Sequence, residues 1–89
     1  MIIKEGFVLR KIANQYMAVP VGSRAKELHG MIGLNETGAF IWERLEKNQS
    51  MENIAREICE EYEVTLQDAI YAVERFCDKL RNEGVMADE

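Results

Sequence analysis

The chain has 89 residues, of which 47% are hydrophobic, enough for one small packed core, so we expect a single domain over residues 1–89. Eleven basic against sixteen acidic residues give a formal net charge of −5, which excludes a strong positive field for nucleic acid or anionic lipid. No apolar run approaches the roughly 20 residues of a membrane span, and the first residues lack a signal-peptide pattern, so the sequence predicts a cytoplasmic protein without membrane association.

The charge is unevenly divided along the chain. Residues 1–34 carry five basic and two acidic residues, a net charge of +3, whereas residues 35–89 carry a net charge of −8. The first third is therefore a mildly basic segment on an acidic body.

The first third also has the pattern of strands and turns, since glycines and a proline separate short β-branched and aromatic runs. The pattern predicts strands over residues 7–12 and 15–21, joined by a turn at Ala13-Asn14. Pro20 donates no hydrogen bond, so it belongs at a strand end or on an edge.

A polar connection over residues 23–28 leads to a third, short strand predicted over residues 29–34. In it, alternation places Ile32 and Leu34 on one face, with Met31 and Gly33 on the other. Only one face of this strand is therefore expected to meet the core.

After residue 35 the apolar period changes to about 3.6, the spacing of amphipathic helices. Asn35 is a suitable N-cap for a first helix over residues 36–45, and Ser50 for a second. Thr65 starts a capping box for a third helix, which Gly84 ends in a left-handed conformation. The third helix has the broadest apolar stripe, formed by Leu66, Ala69, Ile70, Val73, Phe76, Cys77 and Leu80.

Tyr71 lies off this stripe, so we expect it to be exposed. Val85 and Met86 follow the third helix and are expected to pack back onto the body. Three strands followed by three helices define an α+β domain with a small antiparallel sheet. Unless the sheet closes, an edge strand keeps unpaired backbone groups, which can pair with a second copy, so monomer and dimer both stay open.

The sequence contains few groups suited to catalysis. His29 is the only histidine, which excludes a His-based metal cluster. Cys59 and Cys77 form no CxxC pair and fall on apolar helical stripes, so we interpret them as reduced core residues. The glutamates of residues 57–63 are typical of a solvated helix face, and no glycine-rich phosphate loop occurs. We therefore predict no catalytic residue, no metal and no cofactor, hence a protein that is not an enzyme.

Residues 33–45, Gly-Leu-Asn-Glu-Thr-Gly-Ala-Phe-Ile-Trp-Glu-Arg-Leu, strongly resemble the signature of the PqqD-like family, small peptide-binding chaperones also described as RiPP recognition elements. Residues 7–10 and 19–20 are similar to the family's first two strands. Residues 50–55 and 76–85 are similar to its second and third helices. The resemblance covers nearly the whole chain, and the Leu-Asn-Glu-Thr-Gly-Ala block is its specific part.

The resemblance implies a winged-helix-like fold and a non-catalytic function. Such domains capture the leader segment of a ribosomally made precursor peptide and present the precursor to a modifying enzyme, often a radical SAM protein. In the family, the leader adds as an extra strand beside the third strand, and its side chains rest against the third helix.

An extended peptide gains affinity from the free backbone groups of an edge strand, and Gly33 has no side chain to block the approach. We therefore predict a peptide-binding groove formed by Met31, Ile32, Gly33, Val73, Phe76, Cys77 and Leu80, with Arg75 and Lys79 on its polar rim. The apolar members also fit an ordinary core. For Asn35 and Gly38 a structural role, as cap and close-packing site, explains their place in the motif, and Thr37 is interpreted in the same way.

Two other functions fit the same element order. A winged-helix DNA-binding protein needs a basic recognition helix, but the third helix, counted to Glu83, has a net charge of −1. An enzyme subunit would use the acidic first and second helices to dock a larger catalytic protein, which is compatible with the chaperone role.

Overall fold

The computed structural model describes residues 2–3, 6–22 and 32–87. In chain order its elements are β1 (Ile2–Ile3), β2 (Phe7–Ile12), β3 (Gln15–Pro20), β4 (Ile32–Leu34), α1 (Glu36–Glu46), α2 (Met51–Tyr62), α3 (Leu66–Asn82) and β5 (Met86–Ala87). A three-stranded antiparallel sheet in the order β2-β3-β4 is followed by three helices, so the predicted α+β architecture is confirmed.

The hairpin of β2 and β3 turns through two residues, Ala13 and Asn14. Both have left-handed backbones, with φ of 49° and 69°, which suits the twist of a two-residue hairpin. The predicted turn is therefore confirmed. The second strand ends at Pro20, one residue earlier than predicted, and the Val21 N–H instead donates to the Gly6 carbonyl at 2.8 Å.

Strand β4 pairs with β3 and forms one edge of the sheet, with Leu34 opposite Tyr16. Ile32 and Leu34 are buried and Gly33 is exposed, which confirms the predicted alternation. The remainder of the predicted strand, His29 to Met31, and the connection over residues 23–28 lie outside the described residues. Strand β4 thus presents an apolar face to the core and an accessible backbone at its middle residue.

The three helices begin at the predicted caps. The Asn35 side chain accepts the Gly38 N–H at 2.7 Å, which starts α1. Ser50 and Thr65 accept backbone N–H groups in the same way at 3.1 Å, starting α2 and α3. Gly84 follows α3 with a φ of +77°, as expected for a residue after a helix C-terminus.

The core lies among the sheet and the three helices, with Trp42, Ile54 and Val85 fully buried. The stripe of α3 is narrower than predicted, because Leu66 and Ile70 are 51% and 36% exposed. They flank the row that packs inward, which consists of Ala69, Val73, Cys77 and Leu80.

A second, two-stranded sheet joins β1 to β5, pairing Ile3 with Met86. The predicted return of Val85 and Met86 to the body is confirmed, since both are buried. The strand pairing itself was not predicted, because two-residue strands show no alternation. None of the described helices is long and apolar enough to cross a membrane.

Candidate functional site

A groove of about 600 Å³ lies between the first turns of α1 and one side of α3, beside the end of β4. We call it the β4–α3 groove. It is lined by Leu34, Asn35, Thr37, Gly38 and Ile41 on the side of β4 and α1, and by Tyr71, Ala72, Arg75, Phe76 and Lys79 on α3. Its walls therefore combine apolar surface with a few polar groups, as peptide and ligand sites do.

The half-buried ring of Phe76 packs directly against the first turn of α1. A Cβ atom at Gly38 would lie 2.9 Å from Cε1 of Phe76 and 3.1 Å from Oδ1 of Asn35. Both distances are too short for ordinary carbon contacts, so a larger residue at position 38 displaces its neighbours. The structural interpretation of Asn35 and Gly38 is thereby confirmed: one caps α1 and the other admits the Phe76 ring.

Two basic side chains of α3 form the rim of the groove. The Arg75 guanidinium donates through Nη1 to the Tyr71 hydroxyl at 3.1 Å, and this hydrogen bond raises the pKa of Arg75. The Lys79 ammonium donates to the carbonyl of Gly33 at 3.0 Å, which connects α3 to β4. The rim is therefore positively charged on a chain that is negative overall.

The free edge of β4 borders this groove. In the described part of the chain, β4 pairs with β3 and with no other strand. A Cβ atom at Gly33 would meet no heavy atom within 4 Å, so the exposed face of the sheet is open at this residue. An extended chain has room to approach this edge and hydrogen-bond to it.

Some of the residues predicted to bind a peptide lie at or beside the groove, and their role in binding stays a prediction. Phe76, Arg75 and Lys79 line the groove, and Gly33 is exposed on β4 beside it. Met31 lies outside the described residues. These placements bring one aromatic ring, two cations and one open backbone position together.

Four predicted groove residues belong instead to the core, which corrects that part of the prediction. Ile32 is 9% exposed, and the three residues on α3 are completely buried. They lie on the inward face of β4 and on the inward row of α3, so they offer no surface to a peptide in this structure. The four are Ile32, Val73, Cys77 and Leu80.

Sequence reasoning did not assign Tyr71 and Ala72 to the groove, although the predicted exposure of Tyr71 is confirmed at 59%. The missed signal is helical spacing, because Tyr71, Arg75 and Lys79 follow one another at four-residue intervals on one face. Thr37, which was given only a structural role, also lines the groove.

The two cysteines are free thiols. Burial raises the pKa of the Cys77 thiol, which keeps it protonated and unreactive near neutral pH. Among the described residues, no three His, Cys, Asp or Glu side chains cluster closely enough to hold a metal ion.

Contacts between α1 and α2 hold the α1 wall of the groove in place. The Tyr62 hydroxyl donates to Oε2 of Glu36 at 3.3 Å, and its ring meets Phe40 edge-on, with centroids 5.6 Å apart. Partial burial, reinforced by the Glu36 carboxylate, raises the pKa of Tyr62. Nε of Arg44 lies 3.5 Å from Oε1 of Glu57 on α2, and its guanidinium lies 3.4 Å from the ring centroid of Phe40 on its own helix. These contacts fix the α1 turn on which Gly38 lies.

In the described part of the chain, a small antiparallel sheet with one edge of β4 unpaired, three helices and a groove at the end of β4 define a winged-helix-like α+β binding domain. Comparison with protein families matches residues 9–86 to the family described as Coenzyme PQQ synthesis protein D (PqqD). The chain belongs to this family, which confirms the resemblance found in its sequence. Comparison with curated proteins gave no match.

Two solved structures share the fold over nearly the whole chain. One is described as TbiB1 in complex with the TbiA(beta) leader peptide; it is 25% identical, with a TM-score of 0.77, over 99% of this chain and 100% of that one. The other is a lasso peptide synthetase B1 complexed with the leader peptide; it is 20% identical, with a TM-score of 0.81, over 97% of this chain and 95% of that one.

Proposed function

We propose that this protein binds the leader segment of a ribosomally made precursor peptide and presents the precursor to a modifying enzyme. The leader adds as a strand beside β4 and places alternate side chains in the β4–α3 groove. The observation that carries the proposal is the position of the groove: it begins at Leu34, the last residue of β4, whose outer edge is unpaired among the described residues, and its rim residue Lys79 reaches the Gly33 carbonyl.

The chemistry of the groove suits an extended peptide. Backbone hydrogen bonds to β4 supply affinity that does not depend on sequence, while side-chain pockets supply specificity. Phe76, Ala72 and the ring of Tyr71 offer apolar surface, and Thr37, Arg75 and Lys79 offer polar partners. Leaders that alternate apolar and polar residues therefore fit this groove best.

The relatives support the same function. TbiB1, which aligns over 99% of this chain, is described in complex with a leader peptide. PqqD-like proteins are generally binding proteins rather than catalysts. We propose that this chain likewise has no catalytic activity and no cofactor of its own.

The modifying enzyme is proposed to be a radical SAM protein acting in the cytoplasm. The surface proposed for it is the outer face of α1 and α2, where exposed acidic residues dominate: Glu43, Glu46, Glu52, Glu60 and Glu61. A basic surface on the enzyme would complement this face while leaving the groove free for the leader.

DNA binding is the alternative suggested by the winged-helix-like fold. Within α3 three basic residues are matched by three acidic ones, and a fourth acid, Glu83, follows at the C-cap. Such a helix lacks the excess of positive charge that phosphate binding requires.

The proposal is tested by titrating ¹⁵N-labelled protein with leader peptides encoded by short genes next to its own. We expect amide shifts at residues 32–34 and on the groove side of α3, at Tyr71, Ala72, Arg75, Phe76 and Lys79. A peptide of the same composition in scrambled order is the control. Shifts confined to the acidic face of α1 and α2 would contradict the proposed groove, and tight, salt-sensitive binding to duplex DNA would favour the alternative.

A further inference from the structure

One contact crosses the edge at which a peptide is proposed to add. The Lys79 ammonium donates to the Gly33 carbonyl at 3.0 Å, and the two residues are 46 positions apart on different elements. Lys79 is exposed, so the same ammonium could be satisfied by water. Instead, the Lys79 ammonium donates to a backbone carbonyl of the edge strand β4.

The Lys79 ammonium occupies the position that a backbone N–H of an added strand would take when it donates to the Gly33 carbonyl. A strand of three residues, paired on one side, has few backbone groups left for a new partner. Gly33 is its middle residue, and a Cβ atom there would meet no heavy atom within 4 Å. A peptide that pairs along β4 therefore competes with Lys79 for the Gly33 carbonyl.

We propose that Lys79 is a displaceable cap on the β4 edge and that it selects peptides carrying a carboxylate beside the residue that pairs with Gly33. In the free protein the ammonium satisfies the carbonyl and blocks unspecific strand pairing, a role that lysines commonly have on edge strands. On binding, a peptide N–H replaces it, and the released ammonium pairs with the peptide carboxylate. This inference rests on the proposed function, which does not itself specify any leader residue.

The surroundings of Lys79 favour an acidic partner. Arg75 lies one helical turn away and lines the same groove, so two cations face the incoming chain. Asp78, the acid that precedes Lys79, forms an ion pair with Arg81 and is thereby compensated. Glu83 also lies beside Lys79, but the two cations outnumber it, so a glutamate or aspartate of the peptide meets a net positive charge at this point of the rim.

The test combines one variant with two peptide series. Lys79→Met keeps the length of the side chain and removes the donor, whereas Lys47→Met removes the same charge at the C-terminus of α1 and is the control. A leader that binds is synthesised with a single Glu, or a single Gln, at each position of its strand-forming segment. Dissociation constants are measured by calorimetry for each pair.

In the wild-type protein and in Lys47→Met, we expect one position at which Glu binds about 2- to 5-fold more tightly than Gln, the range for an exposed ion pair. In Lys79→Met this preference disappears, and the neutral peptide binds about 2- to 5-fold more tightly than to wild type, because no cap is displaced. The ¹³C resonance of the Gly33 carbonyl should shift in free Lys79→Met but not in Lys47→Met.

Two results would overturn the inference while leaving leader binding intact. One is a Glu preference that persists in Lys79→Met, and the other is a neutral peptide that binds this variant as weakly as, or more weakly than, wild type. If no leader segment binds either protein, the proposed function itself fails, and the inference fails with it.

Discussion

Phe76 on α3 and Gly38 on α1 are packed so closely that a single added carbon at position 38 would lie 2.9 Å from the ring. The same ring lines the β4–α3 groove. The glycine of the Asn-Glu-Thr-Gly motif therefore acts on the groove through the position of an aromatic side chain on another helix.

Gly38→Ala should displace the Phe76 ring and weaken leader binding. Overpacking costs about 1–3 kcal/mol, and the better helix propensity of alanine returns about 1 kcal/mol. We expect the free energy of unfolding, measured in urea, to fall by about 1 kcal/mol. Gly33→Ala is the control for stability only, since its Cβ meets no atom within 4 Å, and its free energy of unfolding should stay within about 0.5 kcal/mol of wild type. Unchanged stability and affinity in Gly38→Ala would contradict the close contact.

Phe76→Ala and Val73→Ala form a matched pair on α3. Each should lower the free energy of unfolding by about 2 kcal/mol, the first by losing a large half-buried ring and the second by leaving a cavity in the core. Only Phe76 lines the groove, so its loss alone should weaken leader binding, by about tenfold. Calorimetry on the folded variants measures this difference; equal affinity losses would argue that stability alone determines binding.

The caps of α1 and α2 allow a similar comparison. Asn35→Ala and Ser50→Ala each remove a side-chain acceptor for a backbone N–H and should cost about 1 kcal/mol of stability. Asn35 also lines the groove, so its variant should bind leader more weakly, whereas Ser50→Ala should bind like wild type. If both variants lost the same affinity, the loss would come from lower stability and not from a missing contact in the groove.

The two thiols should differ in reactivity and in their effect on stability at high pH. Cys59 is partly exposed and should react with a thiol reagent in the native protein, whereas the fully buried Cys77 should react only on unfolding.

Burial raises the pKa of Cys77 above its ordinary value of 9.0, so the native state keeps a proton that the unfolded chain releases. Stability should therefore fall as pH rises through this value, and less steeply in Cys77→Ala than in Cys59→Ala. Equal slopes would show that Cys77 makes no contribution.

The element order, the three helix caps and the hairpin turn were predictable because each depends on neighbouring residues. Asn35, Ser50 and Thr65 precede amphipathic runs, and Ala13-Asn14 separates two runs with the composition of strands. Local hydrogen bonds of this kind leave a clear pattern in the sequence.

The groove was predicted only in part, because its lining depends on how far one helix rotates against a sheet. The sequence pattern of α3 does not distinguish an apolar residue facing the core, such as Val73, from one at the groove, such as Phe76. Which residue lies at the groove depends on the close packing at Gly38, which brings α1 against the Phe76 ring. The capping bond from Lys79 to Gly33 likewise joins residues whose proximity exists only in the folded chain.

The pairing of Ile3 with Met86 also bears on the order in which the molecule folds. This pairing closes a loop of roughly eighty residues. The entropy lost in closing the loop is offset only after the intervening elements have formed. We expect this small sheet to assemble last and to exchange its amide hydrogens earlier than the core of α3. We therefore expect peptide binding to depend little on this small sheet, because no residue of β1 or β5 lines the groove.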